Sequence, residues 1–284
     1  MPIEVKNVSA VYGENHPHAV TALRDITFSA ADGEFIGIMG PTGSGKSTLL
    51  QLIAGLLPPA SGQIMIDGAD IADPRYDRAL LRRTVGVVFQ YPERQLFAAT
   101  VEKDVAFGLK HSGLSREETG ERVHWALTAM GFSYEEIRYR SPLSLSGGEK
   151  RRAAIAGVLA VRPKILLLDE PVAGMDPPAR RAFAELLARL NCTGTTVLAV
   201  SHNADFLCEC ARRILVLEDG ALAADGTPEE IFADDRRARA WQIGPGSVRQ
   251  IAGMLRENGL PVRGSITRYD ELLTAIRDAK EDGR

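Results

Sequence analysis

The run Gly40-Pro41-Thr42-Gly43-Ser44-Gly45-Lys46-Ser47 has the spacing Gly, any four residues, Gly, Lys, Ser, which suits a phosphate cradle. Glycines let the backbone curl so that successive N–H groups point inward, and a helix N-terminus behind them adds partial positive charge. Lys46 is expected to reach the β- and γ-phosphates, and the Ser47 hydroxyl to ligate Mg2+. Further along, Ile165-Leu166-Leu167-Leu168-Asp169-Glu170 is an apolar run ending in two acids. Neighbouring strand side chains point to opposite faces, but at a strand's end the chain can turn. Asp169 can then complete the Mg2+ shell while Glu170 faces the terminal phosphate as the base that polarises attacking water. In Leu145-Ser146-Gly147-Gly148-Glu149, Ser146 stands where an N-cap belongs, before a helix over 149–161 that exposes the Gly147 and Gly148 amides. That is a second anion site. Two such sites on one chain, against one triphosphate per nucleotide, point to a composite site completed by another subunit.

The elements that must hold these residues are legible from periodicity. Residues 3–11 alternate as a strand through Ile3, Val5, Val8 and Val11, and strands are expected at 35–39, 85–89, 165–168, 195–200 and 214–217. Their unbroken apolar runs suit strands covered on both faces, as in an α/β parallel sheet. A helix is expected over 47–57, stopped by Pro58-Pro59, and Ile64-Met65-Ile66 before Asp67-Gly68 reads as a hairpin. Between Phe89 and Ile165 the texture is helical: a capping box from Ser115 to Glu118 opens a helix striped by Val123, Ala126, Leu127 and Met130 and ended by Gly131. This predicts a helical subdomain, about 91–163, inserted into a domain spanning 1–230. In the remaining stretch, 231–284, Val248, Ile251, Ala252 and Leu255 fall at helical spacing with Asn258-Gly259 as the stop, and Leu272, Leu273, Ile276 and Ala279 form a second stripe. Two such helices are too small for a core of their own, so this extension is expected to pack on the main domain or on another subunit.

Composition narrows the function further. The 284 residues carry 34 Lys+Arg against 37 Asp+Glu, a net charge of −3 that argues against a nucleic-acid binder working through a broad basic face. A bilayer span needs roughly 20 mostly apolar residues, and the best run here, 153–161, is too short. The N-terminal segment lacks the pattern of a secretory signal. Cys192, Cys208 and Cys210 lack further ligands at zinc spacing and read as reduced residues of a cytoplasmic protein. His16 and His18 make no metal cluster, and Arg151 and Arg152 read as solvated helix residues.

The whole set resembles an ATP-binding cassette (ABC) ATPase over residues 3 to about 232. The family's Walker A matches 40–48, from Gly40 to Thr48, its signature 145–149, and its Walker B 165–170. Gln90 matches the Q-loop glutamine, Ala173-Gly174-Met175-Asp176 the D-loop, and His202 the switch histidine, while Tyr12 resembles the aromatic that stacks on adenine. The resemblance implies a P-loop fold with a mixed-sheet core, ATP and Mg2+ as ligands, and a head-to-tail dimer sandwiching two ATP molecules. It implies that Gln90 joins Ser47 at Mg2+, that His202 contacts the γ-phosphate, and that Asp176 couples the two sites. Glu149 stands for the commoner glutamine and Met175 for leucine, neither of which removes a catalytic group.

The stretch after Gln90, from Tyr91-Pro92-Glu93-Arg94-Gln95-Leu96-Phe97 through Thr100-Val101 to Asp104-Val105-Ala106-Phe107-Gly108, closely resembles ATPase subunits of energy-coupling-factor (ECF) transporters. Those import vitamins and transition-metal ions. The resemblance implies a peripheral protein on the cytoplasmic face of the membrane, with a second ABC ATPase, a transmembrane coupling protein and a substrate-binding membrane protein as partners, and no nucleic acid. Tyr91, Pro92, Leu96 and Phe97 are expected to form an apolar groove for a partner's coupling helix, with Glu93 facing a basic residue on it. The extension resembles one that in relatives helps hold two ATPases together, and the loop 14–19 resembles that of one of the two paralogous ATPases. Two rivals remain: the ATPase of a conventional ABC importer, and a soluble nucleotide-switched cassette. The latter usually carries tandem cassettes, a coiled-coil insertion or zinc motifs, which are not seen here.

Overall fold

Three of the apolar runs become strands in which every residue is buried: Phe35–Met39, Ile165–Asp169 and Thr196–Val200. The computed structural model describes residues 2–13, 17–110, 112–260, 262 and 266–282. Its strands are β1 (Ile3–Tyr12), β2 (Val20–Ala30), β3 (Phe35–Met39), β4 (Ser61–Ile66), β5 (Ala69–Asp70), β6 (Val85–Val88), β7 (Ile165–Asp169), β8 (Thr196–Val200), β9 (Arg213–Glu218) and β10 (Ala221–Gly226). They form a six-stranded sheet in the order β10-β9-β3-β8-β7-β6 and a four-stranded sheet in the order β2-β1-β4-β5. From β9 to β6 the larger sheet is parallel, with β10 added antiparallel at one edge, and the smaller sheet is antiparallel throughout.

Strand alternation divides the interior between the two faces of the larger sheet. Ile36, Ile38, Leu167, Leu198 and Leu215 pack towards the antiparallel sheet and helix α1 (Lys46–Ile53). Phe35, Met39, Leu168, Ala199 and Val216 pack on the other face, in the cluster that includes the helices. Burying each such aliphatic side chain is worth roughly 1.5–3 kcal/mol, so both faces of the sheet contribute to stability.

After α1 come α2 (Arg78–Thr84), α3 (Val101–Val105), α4 (Arg116–Ala129), α5 (Tyr134–Ile137) and α6 (Gly147–Ala160). Ser115 and Glu118 form the expected capping box at α4, and Val123, Ala126 and Leu127 are its buried stripe. The helices α7 (Pro177–Cys192), α8 (Ala204–Cys210), α9 (Pro228–Ile231) and α10 (Asp235–Ala240) follow, then α11 (Ser247–Glu257) and α12 (Tyr269–Asp282). No helix among the described residues is long and apolar enough to cross a membrane.

The structure departs from the sequence expectations in three places. Helix α1 ends at Ile53 rather than 57, because Gly55 takes φ +66° and turns the chain before the prolines are reached. The strands β2 and β10 were not anticipated: β2 is broken by Arg24-Asp25, and the apolar part of β10 is mostly alanine, which disfavours strands. The hydrophobic cluster of the helical face extends past 230 through Phe232, Ala238, Trp241 and Ile243, so the expected boundary at 230/231 falls inside it. Beyond Ile243 a small separate cluster forms from Val248, Ala252, Val262, Ile266 and Leu272. In the loop 14–19, residues 14–16 lie outside the described residues.

Candidate ATP site and partner surfaces

The phosphate loop links the C-terminal end of β3 to α1, where open parallel sheets place their ligands. A side chain at Gly40 would collide with the Leu217 carbonyl, so the loop passes close under β9. Lys46 is buried, and its Nζ donates to Gly40 O at 2.9 Å and Pro41 O at 2.6 Å, with Ser44 Oγ at 3.4 Å. Burial pushes the Lys46 pKa down, opposed by the charges of Glu170 and Asp169. Helix α1 has no side-chain cap and no acid in its first turn, so its N-terminal amides are available to an anion. Thr42, Gly43 and Ser47 are exposed around the loop while Ser44 and Thr48 are buried. At the end of β1 the half-exposed Tyr12 joins its hydroxyl to Thr48 Oγ1 at 3.1 Å, which sets its ring beside the first turn of α1.

The two acids follow on β7. Asp169 is buried, and burial raises its pKa, opposed by the neighbouring Ser47 hydroxyl and the Lys46 charge. Glu170 lies past the strand's end at φ +49°, the turn that lets consecutive acids share one side. Its Oε1 accepts from the His202 backbone N–H at 2.9 Å and its Oε2 from Ser201 Oγ at 3.3 Å. The half-exposed His202 imidazole stands with Nε2 3.7 Å from Glu170 Oε1. Burial pushes the Glu170 pKa up, with His202 the largest opposing influence.

The structure therefore brings Lys46, Ser47, Asp169, Glu170 and His202 together. Gln90 is exposed one strand away, two residues past the pair Val88↔Leu168, and makes no hydrogen bond to Ser47 or Asp169 among the described residues. Asp176 caps α7, its Oδ1 accepting from Ala179 N at 2.8 Å. Ser146 caps α6 in a reciprocal box with Glu149: Ser146 N donates to Glu149 Oε2 at 2.8 Å, and Glu149 N to Ser146 Oγ at 3.3 Å. The helix begins at Gly147, two residues earlier than expected, and a Cβ on either Gly147 or Gly148 would meet nothing within 4 Å. These glycines open outward.

Arg151 corrects the sequence reading. It is buried rather than solvated, with Nε donating to Pro171 O at 3.2 Å and Nη2 donating to Glu170 O. Arg152 is half-buried, its guanidinium 4.9 Å from the Phe132 ring centre. Helical periodicity gives no sign that an arginine here turns back onto the β7 turn. Ser201, fully buried beside His202, was missed for the same reason: only the fold sets it against Glu170.

Of the residues expected to form an apolar groove, only Leu96 and Phe97 line a shared cavity. A cavity of about 350 Å3 is bounded by Leu96, Phe97, Phe107, Arg82 and Val158, while Tyr91, Pro92 and Glu93 are not part of its wall. Pro92 is buried, and the exposed Tyr91 instead faces Arg94, whose guanidinium lies 4.9 Å from the ring. Phe97 and Phe107 are 66% and 55% exposed and meet edge to face at 4.9 Å, so two large aromatics present themselves together at the surface. Asp104 holds this corner by accepting from Phe97 N at 2.8 Å and Ala98 N at 2.6 Å.

Comparison with known proteins agrees with this geometry. The ABC transporter family matches residues 23–173. The "Energy-coupling factor transporter ATP-binding protein EcfA2" of Caldanaerobacter subterraneus is 45% identical over 272 residues, covering 95% of each chain. The protein of the same name from Symbiobacterium thermophilum is 44% identical, over 98% of this chain and 96% of its own. Among solved structures, cbiO1 from Clostridium perfringens, described as part of the ABC transporter complex cbiONQ, superposes with a TM-score of 0.75 at 34% identity, over 91% of this chain and 97% of that one. The cassette MJ0796, in a dimeric post-hydrolysis state with ADP and Pi, gives a TM-score of 0.73 at 31% identity, over 80% and 98%. A P-loop sheet with an uncapped helix at its mouth, a buried lysine and paired acids, joined to an outward-facing signature helix, is the ABC ATPase arrangement, and the chain belongs to that family, among the ATP-binding proteins of energy-coupling-factor transporters.

Proposed function

We propose that this chain is the ATP-hydrolysing subunit of an energy-coupling-factor importer and drives uptake of a vitamin or transition-metal ion through separate membrane subunits. The observation that carries the chemistry is the grip on Glu170: its carboxylate is fixed by Ser201 Oγ and the His202 N–H, within electrostatic reach of Lys46. A carboxylate so held, with its pKa raised by burial, is suited to orient water and accept its proton. Lys46 and the α1 amides bind the phosphates, Tyr12 flanks the adenine, and His202 contacts the terminal phosphate. The neighbouring Ser47 and Asp169 supply oxygen donors suited to Mg2+, with Gln90 closing in from the neighbouring strand. When bound, Mg2+ offsets the phosphate charge.

The open amides of Gly147 and Gly148 complete the nucleotide site of a second ABC ATPase, with Ser146 and Glu149 holding the helix end rigid and Asp176 at the shared interface. The exposed Phe97 and Phe107, with the half-buried Leu96, receive a coupling helix of the transmembrane protein. Ile251 and Met254, 43% and 60% exposed on α11, extend the contact between ATPases through the region 231–284. This places the chain peripherally on the cytoplasmic side of the cell membrane, beside a substrate-binding membrane protein.

Affinity purification from detergent-solubilised native membranes, with the accompanying chains identified by mass spectrometry, tests the assignment. A second cassette ATPase with two small polytopic proteins supports it. Paired permeases with a solute-binding protein would move it to a conventional importer.

A further inference from the structure

Arg151 lies on the signature helix α6, five residues beyond Ser146, yet its guanidinium is buried in the turn after β7. Nε donates to Pro171 O at 3.2 Å and Nη2 donates to Glu170 O. Glu170 sits at φ +49°, a backbone region that a non-glycine residue keeps only when its surroundings hold it there. Its N–H donates to Val200 O at 3.0 Å, and its carbonyl also accepts from Ala173 N at 3.3 Å. Glu170 is thus gripped twice: the carboxylate from the turn after β8, and the carbonyl from α6. Besides Glu170, the charge nearest the guanidinium belongs to Glu93 of the segment after Gln90, whose Oε2 is buried without a hydrogen-bond partner among the described residues.

We propose that Arg151 is a positioning residue for hydrolysis, holding the Glu170 peptide in the conformation that aims its carboxylate at the nucleotide's terminal phosphate. The proposal rests on the reading of Glu170 as the base. Because Arg151 rides on α6, whose first glycines face outward, its two hydrogen bonds link the turn that carries the base to the signature helix. Removing the guanidinium leaves two carbonyls without their charged donor and frees the turn, while the phosphate loop keeps all of its own contacts.

The test compares Arg151→Met, Arg151→Lys and Glu170→Gln in the full chain, purified with the subunits that accompany it. Steady-state ATPase kinetics, MgATP affinity and melting temperature are read for each. Arg151→Met is expected to lose about ten- to a hundredfold in kcat, as a displaced catalytic group does, with KM and MgATP affinity within about twofold of the original. Arg151→Lys, which keeps the charge but reaches one carbonyl, is expected to recover part of that loss. A kcat within twofold of the original in Arg151→Met overturns the proposal, as does a loss of ATP affinity in proportion to kcat. Should Arg151→Met not fold, Arg151→Lys decides alone: a reduced kcat at unchanged KM supports positioning, and an unchanged kcat overturns it. Full activity in Arg151→Met beside an inactive Glu170→Gln overturns only the positioning role. Turnover surviving in Glu170→Gln removes the base reading itself and the proposal with it.

Discussion

Asp205 holds the N-terminus of α11 at Ser247: its Oδ2 accepts from Ser247 N at 2.9 Å and its Oδ1 from Val248 N at 3.2 Å. Helix α11 has no cap from its own preceding residue, Gly246, so an aspartate in the first turn of α8 serves in its place. That residue stands three positions beyond His202, and the C-terminal helices are thereby fastened to the element that follows the switch histidine. Thr267 Oγ1 donates to Glu229 Oε1 at 3.1 Å and Arg268 pairs with Glu209 at 3.7 Å, which adds polar ties between the small third cluster and the main body.

Asp205→Ala is expected to loosen this attachment by about 1 kcal/mol, the usual cost of a lost cap. Amide exchange across 247–257 should rise while that of β7 and β8 stays unchanged. Gly246→Ala should act in the same direction, because a Cβ there would run into the Asp205 carboxylate. Unchanged protection of α11 in both variants would refute the fastening.

Glu170→Gln is expected to lower kcat by about a hundredfold or more, the range of a lost general base, while MgATP still binds. Its stability should change with a definite sign. The folded Glu170 binds its proton more tightly than the ordinary value of 4.5, so the folded state loses stability as pH rises from 4.5 through the raised pKa. The neutral glutamine escapes that cost. Its melting temperature should exceed the original at pH 7, with the gain shrinking as the pH falls to 4.5. For the same reason, the acid limb of kcat/KM in the original chain, which reports the free enzyme, should lie above pH 4.5.

Gly148→Ala separates a structural from a functional glycine. Nothing in the chain lies within 4 Å of the added methyl, and the residue is already helical. The folded chain should gain stability, up to roughly 0.5–1 kcal/mol. ATPase activity should nonetheless fall tenfold or more if these amides serve a partner's nucleotide, because the outward methyl blocks the phosphate's approach to N–H groups that are still present, about the cost of losing such a donor. Calorimetry and steady-state kinetics on one preparation check both halves.

Phe97→Ala and Phe107→Ala remove aromatics that are more than half exposed. Each should cost the isolated chain under about 0.5 kcal/mol apart from their edge-to-face contact. Recovery of membrane subunits in pull-downs should drop sharply if the groove receives a coupling helix. Full recovery with both variants would show that the docking surface lies elsewhere.

The sequence by itself determined whatever depends on neighbours along the chain. The phosphate loop, the capping box at Ser115, the N-cap at Ser146, and the strands β3, β7 and β8 are written in spacings of a few residues, where backbone geometry and local hydrogen bonds decide the outcome. The strand β2 escaped because Arg24-Asp25 interrupts its apolar alternation, Asp25 taking φ +46° at an irregularity in the pairing with β1. The edge strand β10, exposed or half-buried along its length, offers only an alanine-rich run with little strand preference to betray it. Tertiary structure alone decided the rest: that Arg151 turns inward to Glu170, that Ser201 completes the grip on that carboxylate, and that Phe107 rather than Tyr91 walls the groove. Those contacts join segments 10 to 31 positions apart along the chain. Burying Arg151 and Glu170 costs free energy unless hydrogen-bond partners replace the lost water, and which partners stand ready depends on the packing of strands and helices that no local pattern encodes.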